Sequence, residues 1–231
     1  MKFKTLPYAA ALILTLCFAA SALAGPPLLC HTFDIGDAKS LPWISHSWNL
    51  TGSESYDIKN LSADTLSILS ADSTVLVHME TLRRAALYGQ HDPIAAKQLL
   101  LKLIARADSS SKSTPAGALA LFDEGYFAAT LDQLHWIKKD FPNFAQGLDA
   151  NALIKKALQT SPNDAQMNFG AALVTLEGPT SDQRGYARKA LAGASSDPLL
   201  TRNLSTHFIG PQSETMADMI NRNSNTKVAR Q

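Results

Sequence analysis

Apolar residues recur three and four positions apart through most of the chain, and the polar breaks between them mark where helices begin and end. The clearest stretch holds Ala150, Leu153, Ile154, Ala157 and Leu158, a stripe at i, i+3, i+4, i+7 and i+8 with Asn151, Lys155, Lys156 and Gln159 opposite. Pro162 stops that helix, because the residue before a proline is pushed out of the α region. Asn163 or Asp164 can cap the next helix by accepting its free amide protons. Phe169, Ala172, Leu173 and Leu176 form the apolar side of this second helix, which runs to Gly178.

The rest of the chain divides the same way. Helical character begins near Ser62 or Asp64. Asp72 is placed to cap a helix reaching Tyr88, with Val75, Met79, Leu82 and Ala86 on one face and Gly89 as its stop. Asp92-Pro93 opens another in cap-then-proline order, carrying Ala96, Leu99, Leu100 and Leu103 and fading at Asp108. After the polar loop Ser109–Thr114, Pro115–Glu124 is predicted as a helix with Ala118, Leu119 and Phe122, broken by Gly125. Phe127, Leu131, Leu134 and Ile137 predict a separate helix that ends before Pro142. Two more are expected over Asp182–Leu191 and from Asp197-Pro198, the latter carrying Leu199, Leu200 and Leu204. The fold class is therefore all-α. Residues 25–61 differ: Pro26, Pro27, Pro42, Trp43, Trp48, His31 and His46 fall in no helical period, predicting an irregular arm whose aromatics pack on the first helices. The polar tail 211–231 has no apolar face and is expected to be disordered.

Gly89 and Gly125 lie 36 positions apart, as do Pro162 and Pro198. The spacing resembles tetratricopeptide helix–turn–helix units, whose period is about 34 residues. In that family a turn glycine precedes the closing proline by 17 positions, as Gly125 precedes Pro142, and small residues stand 12 and 5 positions before it, as Ala150 and Ala157 do before Pro162. Ala171 and Ala172 stand in the small-residue region of the next first helix. The departures are specific. Thr114 and Asn168 stand where the family has an aromatic, Thr130 and Ile137 replace helix-B alanines, and Pro142 and Pro162 are only 20 apart, so the register slips. The resemblance spans roughly residues 72–198. It implies antiparallel helical hairpins stacked over 62–210 as a short superhelix, with a concave groove, lined from Pro115–Gly125 and Asn163–Glu177, that holds a peptide or protein segment.

The N-terminus adds a compartment. Lys2 and Lys4, an apolar run from Tyr8 to Ala20 and Ala22-Leu23-Ala24 match a secretory signal peptide cleaved after Ala24, with an apolar core shorter than the roughly 20 residues of a membrane span. A secreted or periplasmic protein of 207 residues would remain, with 19 basic against 20 acidic side chains, and so no field to recruit nucleic acid. No integral membrane segment is expected after cleavage. Cys30 would be its single thiol, which rules out an intramolecular disulfide and leaves a dimer bridge, a reactive thiol or a small buried hydrophobe beside Leu28 and Leu29.

Chemical motifs are sparse. The chain has no C-x-x-C-H, H-E-x-x-H, G-x-S-x-G or phosphate-binding glycine loop. Ser109-Ser110-Ser111-Lys112 matches S-x-x-K without its companion motifs. The one constellation with metal-ligand chemistry is Cys30, His31, Asp34, Asp37 and His46, which a turn at Gly36 could gather. His78, His135 and His207 are expected at helix surfaces or edges, and Trp136 at the core rim or the groove. Asn49, Asn60 and Asn203 begin N-glycosylation sequons. The expectation is an exported, non-enzymatic interaction protein with no cofactor, whose partner is a peptide or protein. The alternative is an exported enzyme or metal-binding protein using the segment Cys30-His31-Asp34.

Overall fold

The computed structural model describes residues 27–44, 52–175 and 180–207. The proposed leader, His46, Trp48, Asn49, Leu176–Gly178 and the tail fall outside them. The described residues are all-α: a 3-10 turn Ile58–Asn60, then α1 (Leu61–Ile68), α2 (Val75–Gly89), α3 (Pro93–Ser109), α4 (Pro115–Ile137), α5 (Ala150–Thr160), α6 (Ala165–Val174), α7 (Thr180–Ala194) and α8 (Pro198–Thr206).

Local chemistry sets most of these boundaries. Asp92, Thr114, Asp149, Asp164 and Asp197 each accept a main-chain proton from the first turn of α3, α4, α5, α6 and α8, satisfying donors that have no partner inside the helix. Proline follows the cap in α3, α4 and α8, where its missing N–H costs nothing. Asp72 does not cap. The helix starts at Val75 behind Thr74, whose side chain makes no cap bond.

The largest correction concerns Gly125. It breaks nothing: α4 runs unbroken from Pro115 to Ile137, 23 residues. A mid-helix glycine costs about 1 kcal/mol relative to alanine, but here it permits a close crossing. A Cβ at Gly125 would stand 3.0 Å from Ala150 O, Ile154 Cγ1 and Leu153 Cβ of α5. Gly89 acts similarly, since a Cβ there would sit 2.6 Å from Ala96 Cβ. Both glycines are contact points between helices. The glycine end of the Gly125–Pro142 spacing therefore marks no turn, whereas Pro142 lies in the loop between α4 and α5.

Every consecutive pair of helices from α1 to α8 touches, most extensively α4 with α5 and α6 with α7, and α2, α4 and α6 also touch one another. Those three are almost wholly buried: α4 and α6 are apolar on most sides, and α2 also buries the charged residues Glu80 and Arg83. By contrast α5 buries only Ile154, Ala157 and Leu158, three of the five residues of its predicted stripe, with Ala150 and Leu153 half-buried. Residues 27–44 lie across the inner helices, with Leu28, Leu29, Phe33, Ile35 and Leu41 in the common core.

Candidate functional site

The face that holds the arm begins with the spacing of polar residues on α2. Glu80, Arg83, Arg84 and Tyr88 stand at i, i+3, i+4 and i+8, so they project from one side. Glu80 is fully buried and accepts four bonds: from Arg83 Nε at 2.8 Å and Nη2 at 3.0 Å, from Arg84 Nε at 2.7 Å, and from the main-chain N–H of Phe33 at 3.0 Å. An ionised carboxylate can accept that many, and the arrangement neutralises charges whose burial would otherwise be prohibitive. Each arginine also donates one bond to the arm. Arg83 Nη1 donates to Leu29 O at 3.0 Å, and Arg84 Nη1 to Leu41 O at 2.6 Å. Tyr88 donates to Pro42 O and accepts from Ser53 N, clasping the arm on one side and its return on the other. Trp43 lies beneath both guanidinium groups, 5.2 Å from Arg83 and 5.9 Å from Arg84, within cation–π range.

Other helices complete the face. Gln133 on α4 accepts from Leu28 N at 3.0 Å. Asn203 on α8 binds Asp34 twice, accepting from its N–H at 2.9 Å and donating to its carbonyl at 2.8 Å. Between these anchors Phe33 enters an aromatic cluster. It stacks on His207 at 4.5 Å and meets Tyr126 of α4 and Phe169 of α6 edge-on at 6.4 and 6.0 Å. Burial pushes the Tyr126 hydroxyl pKa well up, with Glu80 adding to it, and lowers that of His207 to about 4. His207 donates from Nδ1 to Asn203 O at 3.0 Å. Its Nε2 and the Tyr126 hydroxyl are buried without a hydrogen-bond partner.

A second buried ionic group lies behind this face. His78 Nδ1 is 2.8 Å from Asp123 Oδ1 and its Nε2 is 3.0 Å from Ser70 O, while Arg106 donates to Asp123 Oδ2 at 2.9 Å. Each His78 nitrogen faces an acceptor, so both bonds form only when both nitrogens carry protons.

The structure separates the residues that the sequence grouped as metal ligands. Cys30 and His31 are half-buried near Arg83, whereas Asp34 turns to the outside, where Arg202 holds its carboxyl below the usual range. Asp37 is exposed, and His46 is outside the described residues. The turn at Gly36 exists, with φ +58°, but faces Leu199 of α8 instead of gathering ligands. Among the described residues no three histidine, cysteine or acidic side chains are placed to hold a metal ion. Burial also pushes the Cys30 thiol up, toward the neutral form, which is neither the nucleophile nor the ligand form of cysteine.

Further expectations change. His78 and His207 are core residues and not surface ones. Asn203 is fully buried against the arm, which removes its sequon from the surface. Trp136, for which the core rim was one reading, is 57% exposed, and Ile137 of the predicted apolar stripe is 40% exposed. Of the segments expected to line a groove, Phe122 stacks on Tyr126, just beyond the first segment, and Phe169 of the second meets Phe33 of the same chain, which also lies edge-on to Tyr126. Glu80, Arg83 and Arg84 escaped the sequence reading because charged residues three and four apart ordinarily mark a solvated face. No protein-family model matches the chain, and neither does any curated protein or solved structure.

Proposed function

We propose that this protein is an exported, non-enzymatic interaction protein that holds an extended peptide segment on the face built by α2, α4, α6 and α8, and that residues 27–44 are its resident occupant. The observation that carries this reading is recognition of the main chain. Side chains from α2, α4 and α8 bond the main-chain groups Leu28 N, Leu29 O, Phe33 N, Asp34 N, Asp34 O, Leu41 O and Pro42 O. Main-chain bonds supply affinity for an extended segment whatever its sequence, and a pocket such as that of Phe33 supplies selectivity. The architecture that fits this use is a short tetratricopeptide-like superhelix of four hairpins with the even-numbered helices inside. It is supported by the contacts between consecutive helices and by the burial of α2, α4 and α6. Export rests on the leader pattern of residues 1–24.

The test is to insert a protease site within residues 45–51, cleave it, and add labelled synthetic peptide 27–44. Uptake of the peptide by the cut protein, with none by the uncut protein, is the expected result. A cut protein that stays folded yet never exchanges its arm would make these residues ordinary core.

A further inference from the structure

The C-terminal end of α4 is open. There the last turn of α4, the loop 138–149 and the start of α5 enclose a cleft of about 760 Å³, within the size range of small-ligand sites. Its walls alternate two chemistries. Trp136 contributes an indole that is 57% exposed, the most exposed of the described large aromatics, and Leu148 adds a half-buried apolar patch. Around them stand Asp132, Asn143, Asn151 and Lys139. Asn143 donates to the Asp132 carboxyl, which burial raises above its ordinary pKa, so this acceptor is held in place on a half-buried wall.

The combination selects among ligand classes. A purely apolar ligand would offer no partner to the remaining donors and acceptors of Asp132, Asn143 and Asn151, at a cost. Phosphate or nucleotide is disfavoured because Lys139 is the one lysine or arginine lining the cleft and Asp132 and Asp149 share it. A sugar ring fits both chemistries. Its C–H face is apolar and weakly positive, suiting the negative π-face of an indole. Its rim of hydroxyls donates and accepts at once, suiting asparagine amides, an oriented carboxylate and an ammonium.

We infer that this cleft is a carbohydrate-binding site in which Trp136 stacks on a pyranose ring and Asp132, Asn143 and Lys139 bond its hydroxyls. Gln133, which accepts from Leu28 N of the arm, also borders the cleft, but Trp136, Asp132, Asn143 and Lys139 are not among the residues described as bonding the arm's main chain, so the two readings are tested by different variants.

The test uses the full chain and three soluble probes: oligosaccharides of β-1,4-glucose, of β-1,4-N-acetylglucosamine and of α-1,4-glucose. Titration is followed by the indole N–H resonance of Trp136 in NMR spectra, assigned with Trp136→Phe. At least one probe should shift that resonance saturably. Trp136→Ala should weaken binding by about tenfold or more, Asp132→Asn by about threefold, and Trp136→Tyr should retain most of it. The fold of each variant is checked by its helical circular dichroism. Absence of any shift at about 10 mM of every probe, or binding that Trp136→Ala leaves unchanged, overturns the proposal.

Discussion

Between Gly117 and Leu131 the helix α4 is buried on every side, whereas its last turn leaves Trp136 57% and Ile137 40% exposed. Both parts carry large apolar side chains, Phe122 and Phe127 in the first and Leu134, Trp136 and Ile137 in the second. They differ in what lies against them. Over the first half the chain supplies its own cover, with α2, α3 and α5 around the helix and Phe33 of the arm edge-on to Tyr126. Over the last turn the same kind of residue borders an open cleft. A large apolar side chain on a helix is thus core or surface according to the segment that folds onto it.

That contrast is most directly broken at Glu80. Removing it leaves Arg83 buried without its carboxylate and releases Phe33 N and Arg84 together. Glu80→Ala should lower the unfolding free energy by about 3–5 kcal/mol in denaturant titration. A loss below about 1 kcal/mol would show that the arm is held by apolar packing alone.

Phe33→Ala comes next, at about 3 kcal/mol if the arm is core. If the arm is instead a docked peptide, the loss is capped by its docking energy. Limited proteolysis should then cut within residues 27–44 before the helices unfold. Simultaneous loss of arm and helices would place the arm on the core side of the comparison.

The arm cluster should also respond to pH. His207 has a folded pKa of about 4 against its ordinary value of 6.5, so the unfolded chain binds its proton first. The stability contributed by neutral His207 is full above pH 6.5 and is lost as pH falls toward 4, by about 3 kcal/mol over the window. His207→Phe keeps a ring against Phe33 and should remove this part of the slope, measured as midpoint shifts between pH 7 and 4. An unchanged slope assigns the acid sensitivity to other groups.

The smallest effect belongs to the open half. Trp136→Ala should change stability by no more than about 0.5 kcal/mol while abolishing most sugar binding. A loss of several kcal/mol would show Trp136 to be packed in solution.

The helices themselves were legible because their signals are local. The stripe Ala150, Leu153, Ile154, Ala157 and Leu158 and the caps Asp92 and Asp164 each depend on residues within two turns. Gly125 was misread because propensity weighs a glycine by its backbone freedom, whereas α5 crosses at that position and needs a missing Cβ. Arm packing was foreseen in kind: Trp43 lies against Tyr88, 5.7 Å between ring centres. Its partners were not foreseen, because they lie as far as 169 positions away.

What the sequence determined by itself is an all-α chain, the helix starts at Asp92, Thr114, Asp149, Asp164 and Asp197, the apolar stripe of α5 and an arm outside the helical pattern. Those follow from periodicity and capping, which act over a few residues. Only the tertiary structure decided that Glu80 and Arg83 are buried, that Cys30, Asp34 and Asp37 point to different neighbours, and that Trp136 faces an open cleft. Burial is a property of what arrives from elsewhere in the chain, and a local pattern of charges or rings looks the same whether water or another segment covers it.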